Sequence, residues 1–281
     1  MHRYTILDVF TDVPLTGNSV AVFADGSDLD GELMQRVARE MNLSETVFLL
    51  EPEDAGTADA RVRIFTPGTE LPFAGHPVLG TAFVVGEKLG IPTVRLQTAA
   101  GVVPIVLTRE DGRIVYGEMD QPLPALEPFA EADRLLEALG VARSELPVEC
   151  YRNGPQHVYV SLADQESVSA LRPDMTALAE LGMFGVNCFA GTNGHYLTRM
   201  FAPALGIAED PATGSAAGPL AVHLARHGRI AFGIDIEIRQ GVEMGRPSLL
   251  YARVEGTPDR LERVVVGGSA VAVASGEYRF H

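Results

Sequence analysis

Residues capable of proton chemistry stand beside glycines at two places in the chain. His76 follows Gly75 at the start of an apolar segment that is typical of a helix, and Ser215 follows Gly214 in a similar setting. Helix N-termini present unpaired N–H groups and a partial positive charge, and glycine lets a ligand approach the backbone closely. The two helix starts therefore predict binding of a small anion, with a carboxylate favoured. If the two halves of the chain are related by a pseudo-two-fold axis, both starts can face one cleft.

Carboxylates lie close to these segments in the sequence. Asp210, preceded by Glu209, lies a short loop before the second start, and Glu45 lies just before an apolar strand. A histidine and carboxylates around one ligand suit general acid/base catalysis. Structural roles stay open for all of them. His76 could be a capping or core histidine, and Asp210 could bond the amides of its own turn. Glu45 could be a solvated turn residue, and Ser215 could serve only as a helix N-cap.

Other site chemistries fit the sequence less well. Residues 214–218 do not follow the Gly-x-Ser-x-Gly pattern of serine hydrolases. His223 and His227 share a helix face, but no glutamate follows the first of them, so a helix surface is favoured over zinc. Cys150 and Cys188 have neither metal nor redox spacing. Cys188 is predicted to be a small buried residue.

Charge and length exclude several classes of protein. The 281 residues carry a net charge of −15, which disfavours a nucleic-acid binder. Lys88 is the only lysine, so a Walker-type phosphate loop is excluded and a Schiff-base enzyme is disfavoured. No apolar run is long enough to span a membrane. The N-terminus alternates like a strand and lacks the apolar core of a signal peptide. We therefore expect a soluble cytoplasmic protein.

The chain contains an internal repeat that must position these residues. Three short segments recur in the same order at nearly one offset, which indicates two duplicated domains. The pairs are residues 17–18 with 154–155, 63–67 with 199–203, and 74–76 with 213–215. A Pro-rich and then acidic segment from 121 to 133 has linker character and marks the boundary. We predict domains at 1–122 and 123–269. Gly245 to Ser248 forms a tight turn that could border the site.

Long blocks of sequence resemble the phenazine-biosynthesis isomerases of the PhzF type. The resemblance covers essentially the whole chain. Its motifs lie at residues 8–10, 17–18, 41–45, 71–77, 119–122, 153–155, 187–191, 209–219 and 245–248.

This resemblance implies an α+β fold of the diaminopimelate-epimerase type. Two similar domains each wrap a mixed sheet around a central helix, with the active site between them. A C-terminal strand near 270–280 is expected to return to the first domain. Family membership further implies a homodimer, and no cofactor or metal is expected.

The implied reaction is isomerisation of trans-2,3-dihydro-3-hydroxyanthranilate to a reactive aminoketone in phenazine biosynthesis. Glu45 matches the acid/base that moves a proton between ring carbons. Positions matching His76, Asp210 and Ser215 hold and polarise the anthranilate-type substrate. The positions matching Gly75 and Gly214 supply backbone contacts.

Two alternatives remain at this point. A related isomerase or epimerase could act on a different small carboxylate, but the two-cysteine epimerases of this fold carry a thiol at each helix start. Here those places hold His76 and Ser215. A non-catalytic binding protein could also keep the fold, and the presence of Glu45 disfavours it.

Overall fold

The computed structural model describes residues 1–280, which form two compact units. The first unit comprises Met1–Asp120 together with the C-terminal segment that begins at Gly267, and the second comprises Gln121–Val266. The sequence placed a boundary after residue 122. Each unit has its own set of strands and its own buried central helix.

The first unit is built on a mixed sheet around one apolar helix. Its elements in chain order are β1 (His2–Val9), β2 (Asn18–Phe23), α1 (Gly31–Met41), β3 (Glu45–Leu50), β4 (Ala60–Phe65), β5 (Glu70–Leu71), α2 (Gly75–Leu89), β6 (Thr93–Thr98), β7 (Gly101–Glu110) and β8 (Arg113–Gln121). Helix α2 packs against β1, β2, β3 and β6. Its first twelve residues are almost all buried, as a helix that is apolar on every side requires.

Local sequence signals account for the helix boundaries in this unit. The Asp30 side chain accepts a hydrogen bond from the Leu33 N–H and so caps the start of α1. Helix α2 ends at Gly90, which adopts the left-handed conformation that favours glycine. An aromatic core joins the strands, because Phe23 stacks on Phe48 at 4.9 Å and Phe48 meets Phe65 edge-on at 5.7 Å.

The second unit repeats this plan. Its elements are β9 (Ala125–Pro128), α3 (Ala132–Leu139), β10 (Glu149–Arg152), β11 (Gln156–Ser161), α4 (Gln165–Ser169), α5 (Met175–Leu181), β12 (Gly185–Thr192), β13 (His195–Ala202), a 3₁₀ turn (Pro203–Leu205), β14 (Ile207–Asp210), α6 (Gly214–Arg226), β15 (Ile236–Gln240), β16 (Ser248–Thr257) and β17 (Arg260–Gly268). Helix α6 packs against β16 and is buried from Gly214 to Ala225.

Strand pairing confirms the predicted duplication. In the first unit β1–β2 is antiparallel, β2–β3 parallel, β3–β4 antiparallel, β4–β6 parallel and β6–β7 antiparallel. In the second unit β10–β11, β11–β12, β12–β13, β13–β15 and β15–β16 follow the same order of directions. The strands of each unit combine parallel and antiparallel pairs and pack on that unit's own central helix. The α+β class of two similar domains is therefore confirmed.

The last strand, β18 (Ala270–Tyr278), belongs to the first unit. It pairs antiparallel with β1 from His2 opposite Tyr278 to Val9 opposite Ala270. The segment predicted as a linker is more ordered than its composition indicated, because β9 within it pairs with β10. Across residues 1–280, each helix is too short or too polar to cross a lipid bilayer.

Candidate active site

The side chains of Glu45 and His76 meet inside the first unit. Glu45 is the first residue of β3, and His76 is the second residue of α2. The Glu45 Oε2 atom lies 3.1 Å from the His76 Nε2 atom. Glu45 is 7% exposed and His76 is 4% exposed. The interpretation of Glu45 as a solvated turn residue is therefore wrong, because β3 carries its side chain into the interior.

The His76 imidazole is uncharged at neutral pH. Burial lowers the pKa of His76 to about 3, and a hydrogen bond with the Ser19 backbone acts in the opposite direction. Asp8 fixes the Ser19 segment, since its Oδ1 accepts the Ser19 hydroxyl at 2.6 Å and its Oδ2 accepts the Leu15 N–H at 2.7 Å. A carboxyl group beside a neutral imidazole, with water excluded, can hold or pass a proton.

Asp210 lies at the end of β14, directly before the loop that enters α6. Its Oδ2 atom accepts a hydrogen bond from the Thr213 hydroxyl at 2.5 Å. Gln240, on β15, donates to the Asp210 carbonyl at 2.8 Å and to the Thr213 hydroxyl oxygen at 2.9 Å. These bonds hold the carboxylate at a defined place before the helix start.

Ser215 has a different role from the N-cap considered above. Helix α6 begins at Gly214 and its N-cap residue is Thr213, so Ser215 is the second helical residue. Its Oγ lies 3.0 Å from Nε2 of His157, whose Nδ1 lies 3.3 Å from Nδ2 of Asn187. The capping interpretation of Ser215 is therefore wrong. Its hydroxyl is held by an imidazole from β11.

Side-chain caps do not occupy either helix start. Within residues 1–280, no side chain caps the start of α2 or of α6. The carbonyl of Gly214 instead accepts from the Gln121 amide at 2.8 Å, and the Ser215 carbonyl accepts from the Asn153 amide at 3.0 Å. These bonds fix the first turn of α6 through its carbonyls.

The turn at Gly245–Ser248 supports the loop before α6. The Ser248 hydroxyl donates to the Pro211 carbonyl at 2.8 Å and is buried. A Cβ atom on Gly241 would lie 2.4 Å from the Arg246 carbonyl oxygen and 2.6 Å from that of Pro211. The turn therefore packs directly on the Asp210 loop.

The Glu209 side chain has a structural role in the second unit. Its carboxylate accepts two hydrogen bonds from Arg199, from Nε and from one terminal nitrogen, each at 2.8 Å. That bidentate pair occupies both Glu209 oxygens and leaves Asp210 as the carboxylate at the loop.

His223 and His227 form a cluster at the other end of α6. His223 is fully buried, so its interpretation as a surface residue is wrong. Oε2 of Glu149 lies 3.1 Å from Nδ1 of His223 and 3.0 Å from Nε2 of His227, and it accepts the Tyr151 hydroxyl at 2.8 Å. The three ligand atoms could hold a metal ion, since they lie within 4.8 Å of one another. Hydrogen bonds from His223 first, and then from His227 and Tyr151, help to lower the pKa of Glu149 to about 2.

Both cysteines are buried in the apolar core of the second unit, and neither is the residue at a helix start. Cys188 lies on β12, and burial raises the pKa of its thiol to about 12. Cys150 lies on β10 and accepts a hydrogen bond from the Gln156 amide. The prediction that Cys188 is a small buried residue is confirmed. A protonated thiol at neutral pH is a poor base.

Four residues at the second helix start were not predicted from the sequence to belong to the site. These are His157, Asn187, Thr213 and Gln240. Asn187 and Thr213 lie within the motifs at residues 187–191 and 209–219 described above, whereas no local pattern indicated His157 or Gln240.

Comparison with known proteins identifies the family. The model of the family described as phenazine biosynthesis-like protein matches residues 7–276. The chain is 54% identical to trans-2,3-dihydro-3-hydroxyanthranilate isomerase of Pseudomonas aeruginosa, over 98% of this chain and 99% of the relative. A PhzF-family structure from Bacillus anthracis superposes with a TM-score of 0.86 at 25% identity, over 99% of each chain.

The fold extends to more distant enzymes. A probable proline racemase from Agrobacterium radiobacter shares it with a TM-score of 0.66 at 13% identity, over all of this chain and 94% of the other. The racemase comparison bears on the fold alone. The match over residues 7–276, together with full-length identity above one half, places this chain in the phenazine biosynthesis-like protein family.

Proposed function

We propose that this protein is an isomerase that moves a proton between carbons of trans-2,3-dihydro-3-hydroxyanthranilate. The observation that carries the proposal is the buried contact between Glu45 Oε2 and His76 Nε2 at 3.1 Å. The name and activity of relatives that are more than half identical supply the substrate.

Glu45 is the proposed acid/base. One of its oxygens takes the proton from a saturated ring carbon, the electron pair shifts through the conjugated ring, and the same carboxyl group returns a proton to another ring carbon. The molecular formula does not change, so no oxidant or co-substrate is needed. Burial suits this task, because a carboxylate in water is too weak a base for a carbon acid.

His76 completes the proton-transfer pair in this proposal. An imidazole whose pKa is lowered to about 3 stays neutral at pH 7, so it adds no charge that would lock Glu45 in the ionised state. Exclusion of water also protects an aminoketone product from side reactions.

Substrate binding is assigned to residues of both helix starts. Asp210 and Ser215 hold and polarise the substrate, and Gly75 and Gly214 offer backbone N–H groups. The uncapped first turns of α2 and α6 support this assignment. A small anion is matched there without any lysine. We also propose that the protein works as a cytoplasmic homodimer, with light scattering as the test of its mass.

A direct assay tests the function. The purified protein is mixed with trans-2,3-dihydro-3-hydroxyanthranilate, and the absorbance of the substrate is followed. We expect its spectrum to disappear with wild-type protein. An unchanged spectrum rejects the substrate and leaves an isomerase of another small carboxylate or a binding protein.

The matched variants are Glu45→Gln and Glu51→Gln. Glu45→Gln keeps the shape of the side chain but cannot accept a proton, so turnover should fall at least ~100-fold while binding of 3-hydroxyanthranilate is kept. Glu51 is exposed, and its variant should match wild type. Full activity in Glu45→Gln would remove Glu45 from the acid/base role.

A further inference from the structure

Three buried polar side chains form a continuous chain of hydrogen bonds behind the start of α6. Nδ2 of Asn187 lies 3.3 Å from Nδ1 of His157, and Nε2 of His157 lies 3.0 Å from Oγ of Ser215. Their exposed fractions are 3%, 3% and 6%. Water therefore does not compete for these bonds, and each proton must have a defined place.

The positions of the protons follow from the donor inventory. Burial lowers the pKa of His157 to about 4, so its ring is neutral at pH 7 and carries a single N–H. The amide nitrogen of Asn187 can only donate, which makes Nδ1 the acceptor. The proton of the ring must then lie on Nε2, and it points at the oxygen of Ser215.

This arrangement has the opposite polarity to a serine nucleophile with its base. In a serine hydrolase the imidazole nitrogen next to the serine is bare and takes the hydroxyl proton. Here that nitrogen donates, so a lone pair of the Ser215 oxygen is occupied and the hydroxyl proton is directed to another acceptor. The adjacent first turn of α6 favours an anion as that acceptor.

The internal repeat shows which residues occupy the matching places in the two units. In the first unit Val20 lies opposite Glu45, and in the second His157 lies opposite Gly185. A Cβ atom on Gly185 would lie 2.8 Å from Nδ1 of His157, so a glycine is needed for the ring to fit. In the second unit a glycine therefore occupies the place that Glu45 has in the first. The space beside that glycine holds the His157 ring, which contacts the helix start.

We propose that His157 and Asn187 are positioning residues that orient the Ser215 hydroxyl as a hydrogen-bond donor to the carboxylate of the substrate. The proposal deepens the proposed function and rests on it for the identity of the substrate. The direction of the hydrogen bonds can be tested without measuring turnover.

The first test is the tautomer of His157 in the free protein. Long-range ¹H–¹⁵N NMR correlations of ¹⁵N-histidine-labelled protein distinguish the protonated ring nitrogen from the bare one. The resonance is assigned by comparison with His157→Gln. We expect protonation at Nε2 near pH 7, and protonation at Nδ1 would overturn the proposal.

The second test reverses the polarity through Asn187→Asp. A carboxylate at this place accepts the proton of Nδ1, so Nε2 becomes bare and the Ser215 hydroxyl turns towards it. Since a hydrogen bond to a charged group is lost, affinity for 3-hydroxyanthranilate should fall about 10- to 100-fold. KM should rise by a similar factor with a smaller change in kcat, because the bond is made in the ground state too.

A second pair of variants covers the case in which Asn187→Asp does not fold. The amide of His157→Gln can still donate to Ser215 and should keep affinity near wild type, whereas His157→Leu cannot donate and should lose affinity as Ser215→Ala does. Equal affinity in the Gln and Leu variants would overturn the proposal. Circular dichroism of each variant confirms that the comparison is between folded proteins.

Failure of the proposed function gives a different result. If 3-hydroxyanthranilate binds and the variants rank as expected but the dihydro compound is not isomerised, the positioning role is supported and the assigned reaction is wrong. If wild-type protein does not bind 3-hydroxyanthranilate, the carboxylate is rejected as the acceptor and the proposal is overturned.

Discussion

His76 and His157 share one feature, because each is a buried imidazole that is uncharged at neutral pH. Burial lowers the pKa of the first to about 3 and that of the second to about 4. Each ring lies beside a residue assigned to the site, Glu45 in one case and Ser215 in the other. Neutral rings can define hydrogen-bond direction without adding charge, which suits the proposed site, where an anion binds and a proton moves.

Neutral burial of His157 predicts a loss of stability in acid. The unfolded chain binds a proton on this residue below its ordinary pKa of about 6.5, and the folded chain does so only near 4. Its contribution is therefore fully present above 6.5 and is lost as the pH falls from there towards 4. Between about pH 7.5 and 5.0 it amounts to about 2 kcal/mol of unfolding free energy.

Urea unfolding of His157→Gln at both pH values measures this contribution. The difference in unfolding free energy between the two should be about 2 kcal/mol smaller than in wild type. His195 is an exposed histidine, and His195→Gln should keep the wild-type difference. An unchanged pH dependence in His157→Gln would show that this imidazole already titrates normally in the folded protein.

Each unit contains an arginine that makes the same two kinds of contact within that unit. Arg63 on β4 makes two hydrogen bonds with Glu70, each at 2.7 Å, and lies over the Phe65 ring at 5.1 Å. Arg199 on β13 repeats both contacts, with Glu209 and with a ring on its own strand at 5.0 Å. The two motifs differ in burial, since the Arg63 side chain is 31% exposed and that of Arg199 is 7% exposed.

The two arginines should therefore differ in their contribution to stability. Arg199→Met leaves a part-buried carboxylate without its cation and removes the hydrogen bond that Arg199 donates to the Leu171 carbonyl at 2.9 Å. We expect the unfolding free energy to fall by about 3 kcal/mol. Arg63→Met, the matched variant in the other repeat, should cost about 1 kcal/mol or less. Chemical denaturation of both variants makes the comparison, and equal losses would contradict the role of burial.

The extent to which the sequence predicts these elements depends on the range of the interactions. The starts of α2 and α6 follow from Gly-containing turns before apolar segments, and both were predicted to within one residue. Burial of Glu45 was not predictable locally, because it depends on how β3 lies beside α2. The bond between His157 and Ser215 joins residues 58 positions apart, and no local sequence pattern indicates it.

At the scale of the whole molecule, the net negative charge does not prevent an anion from binding at the proposed site. The chain carries a net charge of −15, yet the proposed site binds the anion through backbone N–H groups and the Ser215 hydroxyl, without a lysine or arginine. Distant carboxylates are screened over about 8 Å at physiological ionic strength. Chain connectivity has a more direct effect on the fold, because the first unit is assembled from both ends of the sequence.

The C-terminal strand is expected to be essential for the first unit and dispensable for local order in the second. Strand β18 pairs with β1 along its length, and Tyr278 packs on Phe23 with ring centroids 5.7 Å apart. A chain that ends at Gly268 exposes the edge of β1 and part of this aromatic core. Hydrogen exchange followed by mass spectrometry should show that β1 and β2 lose protection while β11 to β13 keep it. A chain that ends at Phe280 serves as the control and should match wild type. Loss of protection in both units alike would mean that they unfold as one cooperative body, whereas full protection of β1 would show that the sheet does not need its last strand.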